Sequence, residues 1–228
     1  HKMRIITRHF TFINRLLTKR YLFLLISLCC LIFVPSFFYS SPFYLEVTYL
    51  LEAITVIGGI YTVQESRFQL RAGVILGLLV IIVNWIGAFQ ENATLNFYFS
   101  FVSFIFFFCF VSYKLINKVF ATPQVTSGVL YASIIIYLLF GIIGGFGFML
   151  IENAYPNSLS NLELVSFASP SEFIYYSFVT LSTLGYGDIA PISPPARSLS
   201  IFLGILGPLY LTVLVALIVG RYVSTHHK

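Results

Sequence analysis

Charge is scarce in this sequence. Asp, Glu, Lys and Arg make up 9% of its 228 residues and 58% are hydrophobic, whereas soluble domains run near a quarter charged. A water-soluble fold of this length has too little interior to hide so much apolar surface, which leaves a bilayer as the solvent. Histidine is equally sparse. All four histidines lie near the termini and no His-Glu-x-x-His pattern occurs, so a membrane metalloenzyme would lack its ligands. The three cysteines, Cys29, Cys30 and Cys109, sit inside apolar runs, and an odd number in lipid makes no disulfide framework. The formal charge of +5 comes from basic residues in short segments beside apolar runs. It sets membrane orientation and implies no nucleic-acid partner.

Long apolar runs are what the sequence has in abundance. A spanning helix takes about 20 mostly apolar residues. Six stretches qualify: Tyr21–Phe38, Leu45–Val63, Ala72–Phe89, Asn96–Leu115, Val129–Ile151 and Ser198–Ser224. With the N-terminus inside, alternation leaves only Arg197 of the 13 Lys and Arg residues outside. The expectation is an all-α membrane protein with six transmembrane helices, both termini cytoplasmic, in the plasma (cell inner) membrane.

The first run is too long for the core of a cleaved signal peptide. Residues 1–20 ahead of it are amphipathic. Arg4, Arg8, Arg15 and Lys19 share one arc of a helical wheel, and Ile6, Phe10, Ile13 and Leu17 the opposite one. That segregation fits an interfacial helix with its charges toward anionic lipids. Residues 21–115 then form a four-helix module and 116–128 a linker.

The connection Glu152–Arg197 is the informative one. Glu152–Ser169 is polar and reads as an external loop. Pro170–Leu181 reads as a helix, with Ser169 as cap, Pro170 in the first turn and Glu172 at the positive end of the dipole. Its twelve residues reach only about half-way across a bilayer. Ser182–Asp188 follows, then an exit rich in proline at Pro191, Pro194 and Pro195. A half-length helix followed by irregular backbone is a re-entrant loop, tolerated at membrane depth only where protein or water meets it. Thr183-Leu-Gly-Tyr-Gly-Asp188 can turn successive carbonyls toward one axis if left- and right-handed backbone alternate, and Gly185 and Gly187 supply the left-handed steps. Thr183 adds a hydroxyl. Four copies would stack oxygen rings suited to a dehydrated cation, with the negative end of the short helix aimed at it.

Thr180-Leu181-Ser182-Thr183-Leu184-Gly185-Tyr186-Gly187-Asp188 resembles the signature of the tetrameric potassium channel family. The resemblance covers the last two helices and the loop between them. It implies a pore domain over 129–228, with an outer helix at 129–151, a pore helix at 170–181, a filter at 183–188 and an inner helix at 198–224. It implies a homotetramer, with no cofactor beyond K⁺ bound by the carbonyls of Thr183, Leu184, Gly185 and Tyr186 and the Thr183 hydroxyl. Gly187 completes the filter. Thr180, Tyr175 and Tyr176 would support it from behind, Tyr186 would brace it, and Asp188 would cap the outer mouth through the tyrosines. Leu184 replaces the commoner Val, and Val179 stands where some members carry a Glu paired with the Asp.

The last helix carries Gly207-Pro208 near its middle, a combination that hinges or kinks a helix or, alternatively, eases packing. Leu211, Val215 and Val219 follow at fourfold spacing as a candidate hydrophobic gate. The fourth run holds no Arg, and its only Lys is Lys114 at the inner end. Voltage sensing needs several charges moving through the field, so the layout resembles a voltage-gated one without its sensor. Glu52 and Asn84 are candidate intramembrane polar partners, and Asn92 opens a glycosylation sequon. A weakly selective cation channel and a regulatory subunit of another channel stay open as alternatives.

Overall fold

The computed structural model describes residues 2–38, 41–64, 67–89, 93–162 and 170–226. Side chains are described from Thr18 onward, except at 45, 85–97, 222 and 224–226. The expected cap Ser169 and the sequon residue Asn92 lie outside the described residues, and so do the side chains of Arg4, Arg8 and Arg15 that would make the charged face.

Among the described residues the regular structure is helical: α1 (Lys2–Phe37), α2 (Tyr44–Val63), α3 (Arg67–Phe89), α4 (Ala93–Ala121), α5 (Ser127–Ala154), α6 (Pro170–Leu181) and α7 (Pro194–His226). Six of these are long and apolar enough to cross a membrane, and α6 is not. Four limits differ from those expected by four residues or more, the first being the start of α3 at Arg67, five residues before Ala72. α1 runs through residue 20 without a break, since no Gly or Pro interrupts it before Pro35. α4 continues through the first half of the 116–128 linker and stops at Thr122, the residue before Pro123, where helical backbone is disfavoured. α7 starts four residues before Ser198. Ser193 Oγ accepts from the Ala196 N–H at 3.3 Å, and Pro194 and Pro195 fill a first turn that needs no N–H donors.

The chain divides into two compact units, one of residues 1–78 with 111–136, the other of 79–110 with 137–228. In the first, α1 packs on α2 through buried Leu24, Leu28 and Val56. The buried hydroxyls of Thr48, Thr55 and Thr62 each donate to the carbonyl four residues back at 2.8 Å, which satisfies them inside an apolar helix pair. Glu52 is buried on the same helix. Arg20 lies 4.8 Å over the Tyr61 ring and donates to the Gln64 carbonyl at 3.1 Å. Thr126 caps α5 through the Val129 N–H at 3.3 Å.

In the second unit Phe104 and Phe108 of α4 pack on Phe146 of α5, with ring centroids 5.5 and 6.3 Å apart. Ser100 Oγ donates to Asn84 Oδ1 at 2.8 Å, so Ser100 is the polar partner Asn84 finds. The core around α6 joins Phe148 and Met149 of α5, Leu159, Phe173, Tyr176 and Leu181 of α6, Ile189, and Ala196 and Leu203 of α7.

Candidate functional site

The site is assembled by α5, α6 and α7. α6 starts at Pro170, with Glu172 in its first turn. Its twelve residues extend about 18 Å. It beds on small residues of α5. At Gly145 a Cβ would lie 2.8 Å from the Ile174 Cα, inside the packing distance of two carbons, so only glycine lets the two backbones approach. Beside it Ser177 Oγ donates to the Gly141 carbonyl at 2.7 Å. On its other side the C-terminal end of α6 meets α7 at Gly207, where a Cβ would overlap the Leu181 carbonyl oxygen. Gly207 is buried, and α7 continues through Gly207 and Pro208. The expected hinge glycine is thus a point of close backbone approach.

The backbone after α6 changes hand residue by residue. Thr183, Gly185 and Gly187 have φ of 60°, 56° and 80°. Two are the glycines expected there. Thr183 was not expected, because a β-branched side chain in the left-handed region is strained. Such strain persists only where the surroundings over-determine it. Here the N–H groups of Thr183, Leu184 and Gly185 turn back to the last turn of α6. Thr183 donates to Thr180 at 3.1 Å, and Leu184 and Gly185 donate to the Val179 carbonyl at 3.0 and 3.3 Å. These bonds hold the segment against the last turn of α6 in its alternating conformation. Residues 182–188 are exposed in the single chain, Leu184 by 59% and Tyr186 by 68%.

The two tyrosines of α6 part company. Tyr176 is buried, its ring 4.7 Å from that of Phe148, and it shares a 2.8 Å hydrogen bond with Ser200 of α7. Tyr175 is exposed and donates to Asp188 Oδ2 at 2.5 Å. That bond pushes the Tyr175 hydroxyl up to about 12. It also holds the Asp188 carboxyl below its usual value, against some desolvation and with help from the Ile189 N–H. Val179, standing where a Glu pairs with the Asp in some relatives of the resemblance, is buried. Thr180 is half-buried behind the turn. Leu211, Val215 and Val219 are exposed along α7, but so are Ile201, Phe202, Ile205 and Leu209, so exposure does not single out one row. Only 11% of the α7 span is buried in the single chain, against 56% of the α5 span.

Sequence reasoning missed one part of the site. Residues 155–162, within the stretch expected as a polar external loop, are folded onto residues 188–193, with an isolated antiparallel bridge between Leu159 and Pro191.

Residues 125–224 match a family model described as ion channel. That stretch holds α5, α6 and α7. The stretch is similar to ion channel domains. The chain is also 43% identical over 37 residues to potassium channel K1 of Plasmodium berghei (strain Anka), a stretch covering 16% of this chain and 2% of that protein. No solved structure matches it. The family it resembles is a channel family and not an enzyme class, and the six long apolar helices suit a membrane protein.

Proposed function

We propose that the chain is one subunit of a homotetrameric potassium-selective channel that passes K⁺ passively through rings of backbone oxygen. Thr183, Leu184, Gly185 and Tyr186 supply the carbonyls and Thr183 a hydroxyl, with K⁺ the only bound species required. Six helices cross the plasma (cell inner) membrane with both termini cytoplasmic, and the basic N-terminal helix meets anionic lipid. The observation that carries this reading is the alternation at Thr183, Gly185 and Gly187 at the end of a half-length helix whose last carbonyls take up the amides. Alternating hands turn successive carbonyls to the same side, which is what replacing a hydration shell requires. The exposed filter and the thinly covered α7 are apolar surfaces that neighbouring copies would bury. α4 offers only Lys114 and Lys118 near its inner end, so this helix confers little voltage dependence. Gly207, Pro208, Leu211, Val215 and Val219 remain the candidate gate.

The test is reconstitution of the full chain in liposomes with mixed K⁺ and Na⁺. A reversal potential following the K⁺ gradient is expected. One midway between the K⁺ and Na⁺ values would favour a weakly selective cation channel, and absence of flux would favour a regulatory subunit.

A further inference from the structure

The filter is fastened differently at its two ends. Its inner end hangs on α6 through the Val179 and Thr180 carbonyls. Its outer end, past Gly187, is tied to α6 through the side-chain bond from Tyr175 to Asp188. The loop 155–162 reaches its backbone. Asn161 Nδ2 donates to the Asp188 carbonyl at 2.6 Å. The Ser160 N–H donates to the Ala190 carbonyl and the Ala190 N–H to Ser160 Oγ, both at 2.8 Å. The Ile192 N–H donates to the Ser158 carbonyl at 2.7 Å.

The loop is itself held by one carboxylate. Glu152 lies in the last turn of α5, where the helix dipole disfavours an anion. Its two oxygens accept the N–H groups of Asn157 at 2.7 Å and Leu159 at 3.0 Å, charge-assisted bonds that offset that cost. Leu159 then buries in the core beside Tyr176. Asn157 and Asn161 take φ of 64° and 61°, a conformation asparagine tolerates.

We propose that this loop is an outer clamp on the filter. Asn161 is a positioning residue that fixes the Asp188 backbone, and Glu152 positions Asn161. The clamp opposes relaxation of the strained Thr183–Gly187 segment and so sets how long the oxygen rings stay in conducting register. It rests on the filter reading above.

The experiment uses the full chain in liposomes and follows flux from opening to its decay. Asn161→Asp removes the donor and keeps a residue that accepts left-handed backbone. Asn161→Gly removes the side chain and keeps the backbone freedom. Glu152→Gln weakens the anchor. One hydrogen bond is worth about 0.5–1.5 kcal/mol net, roughly a two- to tenfold effect. The expected result is decay about two- to tenfold faster in Asn161→Asp and Asn161→Gly, with initial flux per reconstituted channel retained. Raised external K⁺ should slow the decay, because an occupied ring holds its oxygens. A residue that served folding alone would lower the number of channels and leave the decay constant unchanged. Unchanged decay in both Asn161 variants overturns the clamp. If wild-type flux proves unselective, the K⁺ reading fails, and the decay comparison still judges the clamp with whichever cation flows.

Discussion

Replacing Gly207 by alanine tests whether the middle of α7 is a hinge or a seat. The Leu181 carbonyl at the end of α6 lies against Gly207 on the buried face of α7, where an added Cβ would overlap it. An added methyl overlaps a backbone oxygen, which cannot swing aside as a side chain would. An ordinary C···O contact is about 3.3–3.6 Å, so α6 or α7 must shift. Overpacked cores lose about 1–3 kcal/mol, and a rigid backbone neighbour puts this site toward the upper end. Two to three kcal/mol is about a 30- to 150-fold change in an equilibrium, since each 1.4 kcal/mol is tenfold, and a homotetramer would feel it four times. Because Leu181 lies two residues before Thr183, the shift also reaches the filter. Gly207→Ala is therefore expected to lower the thermal stability of the detergent-purified protein and its K⁺ flux together. Pro208→Ala is the contrasting variant. Pro208 is exposed, and its replacement restores a helical N–H donor, so stability should hold or rise. Gly207→Ala with wild-type melting and wild-type flux would refute the packing argument. If Pro208→Ala alone altered flux, the pair would be a hinge.

Gly185→Ala places a Cβ in open space within the subunit but on backbone at φ of 56°. The penalty is conformational, about 1–2 kcal/mol per chain, and loss of K⁺ selectivity in mixed-ion reversal potentials is expected. Tyr175→Phe deletes the donor to Asp188 and should make conduction less sustained without unfolding the protein, read as flux decay beside a melting curve. The same pair predicts a pH window. Asp188 is depressed, so its contribution is present above its ordinary value of 3.8 and fades as pH falls through the lower folded value. Tyr175 is raised, so its contribution is whole below 10.0 and fades as pH rises through about 12. Flux decay should therefore be flat between about pH 4 and 10, and a step inside that range in wild type that vanishes in Tyr175→Phe would contradict this. With α4 bare of arginine, stepping the membrane potential should change K⁺ flux with the driving force alone, and steep activation would show that charge moves elsewhere.

How far the sequence could be read depended on how local the causes were. The helical class follows from apolar run length, and α6 from Pro170 and the polar residues around it. The start of α7 was misplaced because Ser193-Pro194-Pro195 reads as a breaker. In place, the serine caps and the prolines occupy a turn that lacks hydrogen bonds anyway. The order of residues 155–162 was hidden because it comes from Glu152 reaching forward five and seven residues and from burial of Leu159, neither of which leaves a periodic signal. The close contact of Gly207 with Leu181 was equally invisible. A glycine is the same letter whether the chain needs freedom there or proximity.

Thr183 shows where local rules stop applying. Propensity assigns left-handed backbone to Gly185 and Gly187 and refuses it to a β-branched residue, yet Thr183 takes it. A glycine would adopt that φ without strain, but it would bring no hydroxyl. Threonine at this position accepts a strained backbone and brings a hydroxyl oxygen that the proposed filter would use. Sequences break a local preference mainly where function asks for it. The surrounding bonds are placed as that strain demands: the Thr180 and Val179 carbonyls hold the inner end, and Tyr175 and Asn161 hold the outer end. The strain at Thr183 and the fastening at both ends thus explain each other, since neither would persist alone.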